Sequence, residues 1–250
     1  MYLIANFIIL NSIKMSETLK NQKEHILKLL KEKSVMKQDV FRNTVASFEM
    51  VKKCVDEIAK ELNAETQAID KRIVVSTLET TSHATQLKVA GDMLEFFMHT
   101  NVFEFEKSHA MYRTGYVKQN EYNSYCGIIN VYNFLADSFK FNRLNDLGYL
   151  VCRIFVNREM KFFIEARGPI GVKYSSFSDS PLNQEQLHEI INDLIIYAIT
   201  FDLFTPPIEQ VREVSVNEIQ EKVSSINLRT GKRLGYGTSA SYDEDTNMYI

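Results

Sequence analysis

The residues of this chain whose chemistry could go beyond packing are five histidines, an acid before a hairpin with a second acid after it, and a tyrosine-rich loop. Histidine brings general acid/base and metal-ligand chemistry near neutral pH. His25 and His188 fall in helical stretches and read as solvated face residues. His99 stands beside Thr100 and Asn101, in a polar interruption of an apolar stretch. It reads first as a buried, hydrogen-bonded histidine and second, with Asn101, as a ligand contact. His99 and His109 lie ten residues apart with Glu104 and Glu106 between them. Such donors could take zinc or iron, but no H-x-H, H-x-x-x-H or H-E-x-x-H spacing pre-positions them. No metal site and no cofactor is therefore expected.

Asp146 precedes one expected strand, and Glu165-Ala-Arg167 ends the next. An acid followed after a hairpin by Glu-x-basic loosely resembles the metal-dependent PD-(D/E)xK nucleases. The resemblance covers about twenty residues. It implies that Asp146 and Glu165 hold a divalent ion while a basic residue supports the attacking water. Arg167 departs from the usual Lys of that family, and an arginine does not give up its proton. The plainer reading is a cross-strand charge pair between Arg153 and Glu165, which the hairpin places within one residue of being opposite.

Alternation along the strand through 125–141 puts Cys126, Asn130, Tyr132 and Phe134 on one face. Together with Arg153 or His99 from neighbouring strands, that face could line a pocket. Tyr112, Tyr116, Tyr122 and Tyr125 are interleaved with Arg113 and Lys118. Tyr112 and Arg113 are its recognition candidates, since tyrosine and arginine dominate interface hot spots. The alternative is a loop packed by its own tyrosines. Nucleophilic and phosphate-binding chemistry has no local signature: there is neither a Gly-x-Ser-x-Gly elbow nor a P-loop.

Periodicity outlines the helices and strands that carry these residues. Leu19, Ile26, Leu27 and Leu30 line one side of a first helix, and a break is expected near 34–39. Thr44, Phe48, Val51, Val55, Ile58 and Leu62 then recur in steps of four and three, the spacing of a continuous apolar seam. Residues 15–66 thus read as a helical hairpin, its seam packed on the sheet or serving as a homodimer contact through 41–62. Strands are expected at 72–78, 86–90, 92–105 with a mid-strand bend, 125–141, 147–156 and 160–167. Their short connections leave no room for crossover helices, so the sheet should be antiparallel. Asn183 and Gln186 can form a capping box opening a long helix to about 203, and Ser215 with Glu218 a second one.

The fold class is α+β: a largely antiparallel sheet of about five to seven strands, packed by the N-terminal helical hairpin and the long C-terminal helix. The 250 residues divide into an extra N-terminal segment 1–14, the hairpin 15–66, an α+β domain 67–226 and a tail 227–250 expected to be disordered. The 1–14 segment is apolar, too short to span a bilayer and without signal-peptide flanks, so Met15 reads as the start. A net charge of −3 argues against a dedicated nucleic-acid binder. Three scattered cysteines form neither a disulfide framework nor a zinc pattern, which fits a reducing cytoplasm. The expectation is a non-enzymatic cytoplasmic module that binds a protein partner or a small molecule.

Overall fold

The computed structural model describes residues 17–144, 146–201 and 207–220. The 1–14 segment, the proposed start at Met15 and the tail from 227 lie outside the described residues. The first element is one helix, α1, running from 17 to Ile69 through a π-helical turn at Leu30–Ser34. The expected hairpin is therefore corrected to a single long helix. Nothing between 17 and 69 is Gly or Pro, so the chain has no residue that would stop the helix. The irregularity near Ser34 is absorbed as a π turn, which adds a residue to the turn and resets the apolar stripe.

Among the described residues seven strands follow: β1 (Val75–Thr81), β2 (Ala84–Val89), β3 (Asp92–Met98), β4 (Phe103–Glu104), β5 (Tyr125–Leu135), β6 (Tyr149–Asn157) and β7 (Phe162–Ala166). They form one antiparallel sheet in the order β1-β2-β3-β5-β6-β7, and β4 pairs with the start of β5. The bend expected within 92–105 is the gap between β3 and β4. Residues 136–140 are a correction, because β5 ends at Leu135 and Ala136–Lys140 is a short helix, α3. Between β4 and β5 the chain makes two 3₁₀ turns around a second short helix, α2 (Gly115–Gln119). Helix α4 (Pro169–Lys173) leads to the long α5 (Gln184–Thr200), and α6 (Ile208–Val211) follows. Asn183 caps α5 with the full capping box: Asn183 accepts from the Gln186 N–H at 2.9 Å, and Gln186 accepts from the Asn183 N–H at 3.1 Å. The Ser215–Glu218 box is also present, with bonds of 2.7 and 3.1 Å.

One face of the sheet carries the core. Phe48, Val51, Val55 and Ile58 of α1 and Leu187, Ile190, Ile191 and Leu194 of α5 pack with Leu87, Leu94, Phe96, Ile129, Val131 and Ile154 of the strands. The seam from Thr44 to Ile58 is thus buried within the chain and is not available as a homodimer contact. At one point α1 lies directly on the strand. A Cβ on Gly127 would come 2.0 Å from Thr44 Oγ1, so only glycine fits the crossing. No helix among the described residues is long and apolar enough to cross a membrane.

Candidate functional site

Among the described residues, the opposite face of the sheet is covered only at one end. There Phe105, Met111, Tyr112, Tyr116 and Val117 of the segment between β4 and β5, with Phe177, pack on Cys126, Phe155 and Phe163. Phe155 and Phe163 stack across β6 and β7 with centroids 4.6 Å apart. Asn157 fastens the cover: its Nδ2 donates to Tyr116 Oη at 2.8 Å, and its Oδ1 accepts from the N–H groups of Glu159 and Lys161 at 2.9 and 3.1 Å.

Beyond the cover the register builds an open window. Gln86, Glu95 and Tyr132 stand opposite one another on β2, β3 and β5, flanked by Leu78 on β1 and Leu150 on β6. The next row runs Ala84, Phe97, Asn130, Arg153, Glu165. Leu78, Phe97 and Leu150 are 61%, 40% and 43% exposed, high values for large apolar side chains set into a sheet. Glu95 sinks between them. Its Oε2 is buried without a hydrogen-bond partner, and burial raises its pKa, against a lowering contribution from the bond to Gln86.

The structure brings together three of the expected binding residues, Asn130, Tyr132 and Arg153, on this face. Arg153 lies directly opposite Glu165 and forms an ion pair with it. His109 joins the pair through Nε2, 3.3 Å from Glu165 Oε1. His109 Nδ1 accepts from the Met111 N–H at 3.3 Å, so its ring proton sits on Nε2 and points at the carboxylate. Its ring lies on Phe105, centroids 4.5 Å apart.

The other candidates are elsewhere. His99 Nδ1 accepts from the Asn101 N–H at 3.0 Å, and its ring packs edge-on against Phe103 at 4.7 Å. Both residues shape the break between β3 and β4. Tyr112 turns inward, its hydroxyl donating to the Phe105 carbonyl at 3.1 Å and lying 3.1 Å from Ser124 Oγ, with the Lys107 ammonium over its ring. That is a loop packed by its own tyrosines. Arg113 and Arg167 are exposed.

Asp146 and Glu165 are not brought together. Asp146 accepts from Ser138 Oγ at 2.5 Å and pairs with Arg143 at 2.6 Å beside α3, whereas Glu165 is held by Arg153 and His109. No set of three metal-ligating side chains among the described residues includes either one.

One cluster was hidden from sequence reading. His188, expected as a solvated face residue, is partly exposed and also hydrogen-bonded: its Nε2 donates to Glu57 Oε2 at 3.0 Å, in the crevice between α1 and α5. Gln184 Nε2 donates to the same oxygen at 2.7 Å, and Cys54 lies alongside, its Sγ 3.7 Å from the Gln184 carbonyl. The hydrogen bond from His188 lowers the Glu57 pKa, while burial pushes the Cys54 thiol up to about 11. The only local signal was the three-residue step from Cys54 to Glu57, which shares a helix face.

The sequence matches no family model, the chain matches none of the curated proteins, and its fold matches no solved structure.

Proposed function

We propose that the protein is a non-enzymatic binding module of the cytoplasm that receives a protein partner on the open face of its sheet. The observation that carries this reading is the exposed apolar cluster of Leu78, Phe97 and Leu150 around the half-buried Glu95. From β1 to β6 the window spans four inter-strand steps, roughly 19 Å at about 4.8 Å each. That is a protein-sized footprint. Two concavities of the surface lie elsewhere, one along α5 at Glu185–Asp193 and one at Lys88–Gly91 with Leu135–Lys140. Neither is lined by the window residues, and a face spread over five strands suits another protein's surface better than a small molecule.

The chemistry of the face defines the partner. It presents apolar side chains for Leu78, Phe97 and Leu150, with a hydrogen-bond donor at its centre that answers the unpartnered Glu95 oxygen. The cytoplasmic assignment rests on three buried, unpaired thiols, Cys54, Cys126 and Cys152.

The test is affinity capture from cells with wild type, followed by titration of the purified partner against wild type and the Leu78→Glu/Leu150→Glu double variant. Both positions are solvent-exposed, so the variant keeps its melting temperature. Loss of binding by about two orders of magnitude is expected, the scale of two interface residues each worth more than about 1 kcal/mol. A partner that binds both forms equally moves the receptor surface off this face.

A further inference from the structure

We propose that Cys54, Glu57 and His188 form a binding site for a zinc-class divalent metal ion in the crevice between α1 and α5. The Cys54 sulfur, a Glu57 carboxylate oxygen and a His188 ring nitrogen all lie within 4.8 Å of one another. Donors around a tetrahedral zinc stand about 3.5 Å apart, given bonds of about 2.0–2.3 Å. Small side-chain rotations therefore close the set around an ion.

The site has the architecture of metal centres built between facing helices. Cys54 and Glu57 are three residues apart on α1, and Gln184 and His188 are four apart on α5, so each pair shares a helix face. Both helices are clamped to the same sheet face by the core, which fixes their separation. Thiolate, imidazole and carboxylate together select zinc or cobalt over calcium and magnesium, which take oxygen ligands. Glu57 and His188 side chains are 41% and 32% exposed, so the fourth position faces water.

The protons balance simply. The thiol proton of Cys54 leaves to solvent. The single imidazole proton of His188, now donated from Nε2 to Glu57, moves to Nδ1 and frees Nε2 for the metal. Lys53 is the competing cation: its ammonium lies 3.7 Å from Glu57 Oε1 and 3.3 Å from Gln184 Oε1. Its side chain is 62% exposed and free to swing away.

The experiment is titration of the full chain with Co²⁺, followed by Zn²⁺ competition against a chromophoric chelator. One equivalent of Co²⁺ should produce thiolate-to-cobalt charge-transfer absorption, which Zn²⁺ then abolishes. Among the described residues Cys54 is the cysteine that stands with other metal-ligating side chains, and Cys126 and Cys152 do not, so the band reports Cys54. Cys54→Ser should remove the band, and His188→Gln should weaken zinc binding roughly 100-fold. Lys53→Gln should tighten binding, and it leaves the core untouched should Cys54→Ser prove unstable. Circular dichroism confirms that each variant is folded. Wild type that takes up no stoichiometric Co²⁺, or a band that survives in folded Cys54→Ser, overturns the site. So does zinc affinity unchanged by His188→Gln.

Discussion

Phe96 and Phe97 are neighbours in β3, yet one is fully buried beneath the helices and the other is 40% exposed on the opposite face. The contrast holds across the sheet. On the helix face, β2, β3, β5 and β6 contribute Leu87, Leu94, Phe96, Ile129, Val131 and Ile154 to one continuous core. On the other face, similar strands carry Gln86, Glu95, Asn130, Arg153 and Glu165 between exposed Leu78, Phe97 and Leu150. Two long amphipathic helices can cover only one side. Among the described residues, the short segment between β4 and β5 covers one end of the other and leaves the rest open. The buried core is concentrated on the first face, and exposed apolar surface on the second.

The sharpest test of that contrast compares the two phenylalanines. Phe96→Ala should cost about 3–5 kcal/mol, measured by urea unfolding, because it opens a cavity in a closed core. A loss below about 1 kcal/mol would mean that the helix face is loosely packed. Asn157→Ala should cost about 2–3 kcal/mol, because it leaves the turn N–H groups of Glu159 and Lys161 without their acceptor beneath the cover. It should also raise hydrogen exchange across 110–124, which the Tyr116 bond ties down. Gly127→Ala should cost about 1–3 kcal/mol, since the added methyl group runs into Thr44 and α1 must lift from β5. Phe97→Ala should cost under about 1 kcal/mol, the range of an exposed substitution. A loss as large as that of Phe96→Ala would show that the open face carries core of its own.

The smallest effect concerns pH. The folded pKa of Glu95 lies above the ordinary carboxyl value of 4.5, because burial disfavours its charge. The folded state therefore binds this proton more tightly than the unfolded chain does. Stability from this group is greatest below pH 4.5 and is lost as pH rises through the folded pKa. Glu95→Gln should remove that slope and raise the melting temperature at neutral pH. A variant with the slope of wild type, followed by thermal unfolding from pH 4 to 7, would place the titration on another group.

Much of this could be read in the chain itself, and particular residues show why. The capping box at Asn183–Gln186, the Arg153–Glu165 pairing and the bend after Met98 each depend on residues a few positions, or one tight turn, apart. Antiparallel order followed from connections too short for crossover helices. The stripe on α1 was visible too, because a helix repeats its own burial every three or four residues. The break expected near Ser34 failed because polarity alone does not stop a helix that lacks Gly and Pro.

How distant segments meet depends on the whole fold. Asp146 and Glu165 looked like partners along the chain, but the fold gives each its own basic neighbours, Arg143 and Arg153. Cys54 and His188 are separated by most of the described chain, yet the docking of α5 on α1 brings them into one crevice. Which sheet face the helices cover was likewise open, because both faces of the central strands are rich in apolar side chains. Local periodicity records the environment of each residue along its own helix or strand. Proximity between elements depends on strand order and helix docking, which emerge only when all the apolar faces are buried at once.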